Sequence, residues 1–251
     1  MYNNACRRPG VDQVPARYPK HVEMVNPQQQ IRPGSPNYTR ITYIAMNTIQ
    51  KPYAESCDQN SVPILEVIEP VLRDHSRLLE IGSGTGQHAV FFASRLPGIL
   101  WQTSDRAEGH AGIKMWLDDD NPGNVLEPFE LDVCNETHWP DPSVTPLYDS
   151  VFTANTLHIR GDADVGCMFE GLGCVTGQGA DLLIYGPFNY DGQYTSDSNR
   201  RFDQWLKDRD PLSGIKHFEM VCKLAGQNGF VLQHDYTMPA NNRILHFSKL
   251  R

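Results

Sequence analysis

At 251 residues, with 39% hydrophobic and 21% charged side chains, the chain has the size and composition of a soluble protein built around one main domain with a buried core. No apolar run approaches the roughly 18 residues of a membrane span, and the first thirty residues lack the apolar centre of a signal peptide, so a cytoplasmic protein with no membrane contact is expected. The net charge of −8 is uneven: six Arg and Lys against Asp12 and Glu23 give residues 1–45 a charge of +4, leaving −12 on residues 46–251. That is a poor match for a phosphate backbone, so no nucleic-acid partner is expected.

Residues 1–45 carry six prolines (Pro9, Pro15, Pro19, Pro27, Pro33, Pro36) and the run Gln28-Gln29-Gln30. Without sustained periodicity they predict a disordered, Pro-rich, basic leader, and the composition changes at Met46, where the domain is taken to begin. Cys6, Cys57, Cys134, Cys167, Cys174 and Cys222 form no C-x-x-C pair and no zinc spacing. Most are expected to be reduced, buried, small hydrophobes, with no metal site.

Ile64, Leu65, Val67, Ile68, Val71 and Leu72 recur at helical intervals and predict a helix between Tyr53 and Asp74, with Pro63 in its first turn. The preceding polar stretch Ala54–Ser61 reads either as a lid over a ligand, contacting it through Ser56 or Asn60, or as a helix cap and turn. Next, Arg77-Leu78-Leu79-Glu80-Ile81 predicts a buried strand running into Gly82-Ser83-Gly84-Thr85-Gly86 and then a helix over Gln87–Leu96. Glycines at this spacing admit turn conformations closed to other residues and let a ligand approach the backbone at a helix start. The spacing is G-x-G-x-G, not the G-x-G-x-x-G of dinucleotide sites. Glu80 at the strand end would repel a pyrophosphate and attract a cationic, amine-bearing ligand.

A second strand, Leu100 to Thr103, ends at Asp105, 19 residues past Gly86. Asp105 is either the acid that receives both ribose hydroxyls of a nucleotide or the N-cap of a helix over Arg106–Leu117. A third strand over Glu127–Val133 ends in Asp132-Val133, and the fourth, Tyr148–Ala154, delivers Asn155-Thr156-Leu157-His158-Ile159 to a crevice. Ligands bind at such strand ends. His158 suits general-base chemistry near neutral pH, although a lone histidine is equally at home in a structural role. The fifth strand, Ala180–Tyr185, is followed by Gly186-Pro187-Phe188-Asn189-Tyr190, the expected pocket wall. Helices over Ser198–Arg209 and His217–Asn228 and strands over Phe230–Tyr236 and Ile244–Leu250 complete an α/β, doubly wound sheet of seven strands whose last strand returns antiparallel.

Five segments, P-Y-A-E-S-C-D-Q-N, L-E-I-G-S-G-T-G-Q-H-A-V-F-F-A, T-A-N-T-L-H-I, Y-G-P-F and M-P-A-N-N, occur here in order between Pro52 and Asn242. Their combination resembles the DUF938 or UPF0585 family, and the glycine loop resembles motif I of the class I S-adenosylmethionine-dependent methyltransferases. The resemblance implies a Rossmann-like sheet of order 3-2-1-4-5-7-6 with helices on both faces, and S-adenosylmethionine as cofactor. It assigns cofactor contacts to Glu80, Gly82, Ser83, Gly84 and Gly86, the ribose to Asp105, the adenine to Asp132 and Val133, and the methionine part to Asn155. One departure stands out, since Ser104–Gly109 holds Glu108 and Gly109 where a plain helical start is common in the family.

The expected function is methyl transfer to a small-molecule acceptor, with His158 and Tyr185 as catalytic candidates. Asn60, Phe188, Asn189, Tyr194, Asn241 and Asn242 are the candidates for its pocket. The alternative is a non-catalytic cofactor-binding module acting as a regulator or partner. No Asn/Asp-Pro-Pro-Tyr/Phe tetrad follows strand four, which argues against nucleic-acid base nitrogens as acceptors.

Overall fold

The structure, a computed structural model, describes residues 50–250; the predicted leader and the boundary at Met46 lie outside the described residues. Buried apolar side chains alternate along the central strands, and this alternation builds two cores, one on each sheet face. Leu78, Trp101, Phe152, Leu183 and Ile244 face one side with Ile64, Ile68, Leu72, Phe92 and Ile113. Leu79, Val151, Leu182, Ile184 and Phe247 face the other with Phe169, Leu172, Val221 and Phe230. The strands are β1 (Arg77–Ile81), β2 (Leu100–Asp105), β3 (Val125–Glu130), β4 (Tyr148–Ala154), β5 (Thr176–Gly186), β6 (Phe188–Asn189), β7 (Lys216–His217), β8 (Phe230–Met238) and β9 (Asn242–Lys249).

Seven of them form the sheet β3-β2-β1-β4-β5-β9-β8. The first five run parallel, and β9 is antiparallel to both β5 and β8. This is the expected order. The numbers of the last two strands shift because β6 and β7 pair separately, as two-residue parallel segments.

The helices are α1 (Glu55–Leu72), α2 (Gln87–Ala93), α3 (His110–Asp120), α4 (Asp162–Val175), α5 (Asp197–Arg209) and α6 (Phe218–Gln227). Two expectations need correction. Helix α1 begins at Glu55, so Pro63 lies inside it and Ala54–Ser61 is its opening two turns, not a segment preceding it. Helix α4 was not anticipated: Gly166, Gly171 and Gly173 weaken its helical signal. Gly171 is required by packing, because a Cβ there would lie 2.1 Å from the Trp139 ring. Among the described residues no helix is long and apolar enough to cross a membrane, and no three metal-ligating side chains converge.

Candidate functional site

Strands β1, β2, β4 and β5 all end on one edge of the sheet, and the loops that leave them create the site. Gly82, Gly84 and Gly86 have φ of 70°, 58° and 91°, in the left-handed region that favours glycine. Gly86 is the N-cap of α2, and a Cβ there would meet the Ile113 backbone at 3.1 Å. The loop is held from below by Glu80. Its Oε2 accepts from Ser83 Oγ at 2.8 Å and from the Trp101 indole at 3.0 Å, and Ser83 N donates to Ser104 O at 2.9 Å. Glu80 is thus a buried strut between β1, the loop and β2, not a surface charge awaiting a cation. Burial pushes its carboxyl up to about 7, against the hydrogen bonds from Trp101 and Ser83.

A narrow cleft of about 20 Å³ opens beside this loop, lined by Ile81, Gly82, Asp105, Leu131, Val133, Thr156, Val165 and Met168 among others. Asp105 stands at its rim, and its two carboxylate oxygens accept from Gly84 N at 2.8 Å and Arg106 N at 2.7 Å. Gly109 gives that carboxylate room, since a Cβ on it would lie 3.0 Å from Asp105 Cγ; the glycine that departs from the family pattern has a steric reason. Asp105 precedes a 3-10 turn (Ala107–Gly109) and α3, and its side chain binds back to the glycine loop as well as to its own turn. Just past β3, Asp132 Oδ1 accepts from Cys134 N at 3.2 Å, and its other oxygen lies 3.6 Å from the Arg106 guanidinium.

Cysteine chemistry corrects the sequence expectation. Cys134 and Cys167 form a disulfide across 33 residues. It joins the segment after β3, which carries Asp132 and Val133, to α4, which carries Val165 and Met168, so the bond ties together two walls of the cleft. Cys57 and Cys222 are free thiols.

Beyond β4 and β5 lies a larger cavity of about 620 Å³, bounded by Ser56, Asn155, His158, Ile159, Pro187, Ser198, Asn199, Phe202, Trp205, Leu206, Ala240, Asn241 and Asn242. Asn155, Ala240 and Asn241 hold φ of 58°, 56° and 58°. Left-handed backbone at non-glycine residues is costly and collects at functional sites. His158 is buried, and its ring packs edge-on to Phe202 at 5.2 Å. Burial, then the nearby Lys216 cation, lowers its pKa to about 4, so the ring is neutral at pH 7.

Tyr185, buried at the end of β5, interacts through its hydroxyl with the amides of Asn60 and Asn242. Asn60 Oδ1 in turn lies 2.7 Å from His88 Nε2. This chain of contacts ties α1 and β9 to the strand ends. The start of α1 is also held by Gln87, whose Oε1 accepts from Ala54 N at 2.6 Å.

Four expected pocket residues do not line the cavity, the first being Asn60, whose side chain is turned to His88. Phe188 is in the core of the opposite face. Asn189 is buried and donates to Ile215 O at 3.5 Å. Tyr194 is turned to Asp203, donating to Oδ2 at 2.7 Å. The segment after β5 is drawn into the β6–β7 pairing, which points these last three side chains elsewhere. In their place α5 supplies Phe202, Trp205 and Leu206. Their i, i+3, i+4 spacing in an otherwise polar helix was a legible sign of a buried or ligand-facing stripe.

Solved structures share this architecture. An O-methyltransferase family protein from Burkholderia thailandensis matches with a TM-score of 0.67 at 15% identity, over 78% of this chain and 57% of its own. Human N-acetylserotonin methyltransferase, solved in complex with SAM, matches at 0.64 and 18%, over 78% and 53%. The mitomycin 7-O-methyltransferase MmcR matches at 0.65 and 13%, over 77% and 54%. The chain thus spans little more than half the length of these proteins, and at such identities the likeness is one of fold. The family model described as "Protein of unknown function (DUF938)" matches residues 51–249, and the chain belongs to that family.

Proposed function

We propose that the protein is an S-adenosylmethionine-dependent methyltransferase acting on a small-molecule acceptor. The carrying observation is adjacency: the glycine-loop cleft and the 620 Å³ cavity open at the carboxyl ends of the same strands, with Thr156 lining one and Asn155 and His158 the other. The lining of the cleft, once widened beyond its present volume of about 20 Å³, suits a nucleoside. Gly82 lets Thr156 close in as the floor, Asp105 offers a carboxylate at the rim, and Leu131, Val133 and Met168 supply apolar walls.

When bound, S-adenosylmethionine supplies an electrophilic methyl group on a positively charged sulfur. In this reading Gly82, Ser83, Gly84 and Gly86 shape the approach, with Glu80 as their support. Asp105 receives the ribose hydroxyls, exchanging its bond to Gly84 N for them. Asp132 and Val133 border the adenine, and Asn155 meets the amino-acid end.

In the cavity, His158 offers its neutral ring to a proton on the acceptor and so turns the acceptor lone pair toward the methyl group. Tyr185 acts as a positioning residue, holding Asn242 at the cavity edge, where Asn241 also stands. His158 would hold the acceptor proton and pass it to solvent while the bound cofactor would supply the methyl group. A non-catalytic binding module has no need of this second cavity, and its presence favours the enzyme.

Calorimetry of S-adenosylmethionine and S-adenosylhomocysteine, with NAD as control, tests the proposal on wild type and Asp105→Ala. Both sulfur ligands should bind, NAD should not, and the substitution should weaken binding about tenfold or more, ~1.4 kcal/mol. Absence of binding by both sulfur ligands overturns it.

A further inference from the structure

The larger cavity carries more information about its occupant than its size. None of its thirteen bounding residues is an acid or a positively charged base: they are amides, hydroxyls, apolar and aromatic groups and His158. Burial keeps that histidine neutral. Lys216, whose charge reaches His158, is not among the lining residues and pairs its Nζ with Asp162 at 2.9 Å. A ligand bearing a carboxylate, phosphate or ammonium would lose part of its hydration here and meet no counter-charge among the thirteen lining side chains, a cost that selects against ionised compounds.

Two further observations narrow the class. Phe202 and Trp205 stack nearly parallel, with ring centroids 5.8 Å apart and planes 17° from each other. One turn of α5 therefore presents an aromatic wall, with the Arg209 guanidinium over the Trp205 ring at 4.5 Å, and such a surface favours flat aromatic partners. His158 is more than nine-tenths buried as a residue, yet its ring borders the cavity and its nitrogens are not among the buried polar atoms that lack a partner. The neutral ring keeps one lone pair to which a hydroxyl in the cavity can donate.

The geometry points to an uncharged aromatic hydroxyl compound as the occupant, its ring against Phe202 and Trp205 and its hydroxyl toward His158. This rests on the methyltransferase reading for its role as methyl acceptor, but not for the chemistry of the cavity. The volume of about 620 Å³ lies within the usual range for small-molecule sites, roughly 300 to 1,000 Å³, and takes a two- or three-ring compound with space for the reacting group.

The test uses 2-naphthol and 6-hydroxy-2-naphthoate, which share ring and hydroxyl and differ by one carboxylate, with decahydro-2-naphthol as the non-aromatic control. Each is titrated calorimetrically into the full chain, with and without saturating S-adenosylhomocysteine. Expected are binding of 2-naphthol, at least about thirtyfold weaker binding of the carboxylate and of the saturated alcohol, and a tenfold or greater loss for 2-naphthol in Phe202→Ala. S-adenosylhomocysteine affinity should be unchanged in that variant. Trp205→Ala, at a half-exposed position, serves as a second variant that is well tolerated by the fold.

Equal or tighter binding of the naphthoate, no binding of 2-naphthol, or indifference of 2-naphthol to both substitutions overturns the assignment. Failure of S-adenosylhomocysteine to bind, with the naphthol discrimination intact, overturns the methyltransferase reading alone.

Discussion

Gly82, just past β1, and Thr156, just past β4, meet so closely that a Cβ on the glycine would sit 2.7 Å from the threonine hydroxyl oxygen. The contact sits where the first and fourth strands release their loops, and it sets the floor of the cleft. Thr156 cannot simply turn aside, because its hydroxyl lies 3.2 Å from Ala154 O and 3.4 Å from Ile81 O. Gly82→Ala therefore has two costs: a left-handed φ of 70°, about 1 to 2 kcal/mol, and displacement of Thr156. The expected outcome is a folded protein, by circular dichroism, whose S-adenosylhomocysteine affinity falls about tenfold or more. Adding Thr156→Ala removes the clashing atoms and should restore part of the loss, a coupling read from the double-mutant cycle. Wild-type affinity in the single variant would show that the floor of the cleft is not a ligand surface.

The Cys134–Cys167 disulfide gives a second prediction. It closes 33 residues of sequence, a span for which such bonds contribute about 2 to 4 kcal/mol. It also fixes the Asp132–Val133 segment against α4. The double substitution Cys134→Ala/Cys167→Ala should lower the urea midpoint accordingly and weaken S-adenosylhomocysteine binding several-fold. A dithiol should weaken cofactor binding to the wild type and leave that of the double variant unmoved. Equal sensitivity of both proteins would place the effect at another cysteine.

Much of this organisation is legible in the sequence. The glycine loop, Asp105 at the end of β2 and Asn155 and His158 after β4 are local signals, each set by a strand run and the residues next to it. Features that depend on distant partners were not legible. Glu80 reads as a free strand-end acid until Trp101 and Ser83 are seen to bind it. Phe188 looks like a pocket wall until the β6–β7 pairing buries it. The disulfide follows from no Cys spacing, because it depends on where α4 packs. That helix itself is masked by its glycines, of which Gly171 answers to the Trp139 ring.

Gly171 makes the last point testable. A Cβ there would lie 2.1 Å from the Trp139 ring, which is anchored by its indole bond to Val133 O at 2.9 Å. Gly171→Ala raises helix propensity by nearly 1 kcal/mol yet should destabilise the protein by about 1 to 3 kcal/mol through overpacking. Chemical denaturation followed by tryptophan fluorescence reads both the midpoint and the displaced indole. A stabilised variant would mean that Trp139 yields without cost.

Glu80 predicts an unusual pH dependence. Burial raises its folded pKa to about 7 from 4.5, so the folded state holds this proton more tightly than the unfolded one. Its contribution to stability is complete below about pH 4.5 and is lost as the pH rises through 7, by at most about 3 kcal/mol. Glu80→Gln, which can still accept from Trp101 and Ser83, should remove that loss, so its stability relative to wild type improves between pH 5 and pH 8. A constant difference across that range would place an ionised Glu80 in a better-solvated setting than the structure shows.

His158 behaves in the opposite sense, and this separates its two possible roles. Burial and then Lys216 lower its folded pKa to about 4 from 6.5, so its stabilising contribution is complete above pH 6.5 and is lost as the pH falls toward 4. Wild type should therefore lose up to about 3 kcal/mol more than His158→Gln across that interval in urea titrations. A histidine that is neutral throughout the neutral range gives no titration limb near 6.5, so acceptor binding and turnover should be flat from about pH 5.5 to 8 if the ring only orients the acceptor hydroxyl. His158→Gln keeps a neutral hydrogen-bonding side chain and should retain a measurable fraction of turnover, raising KM more than it lowers kcat. A limb near 6.5 that vanishes in His158→Gln would instead make the imidazole a true proton acceptor, one whose charged form is stabilised by a group delivered with the ligands, because Lys216, the only neighbouring charge that shifts this ring among the described residues, opposes it.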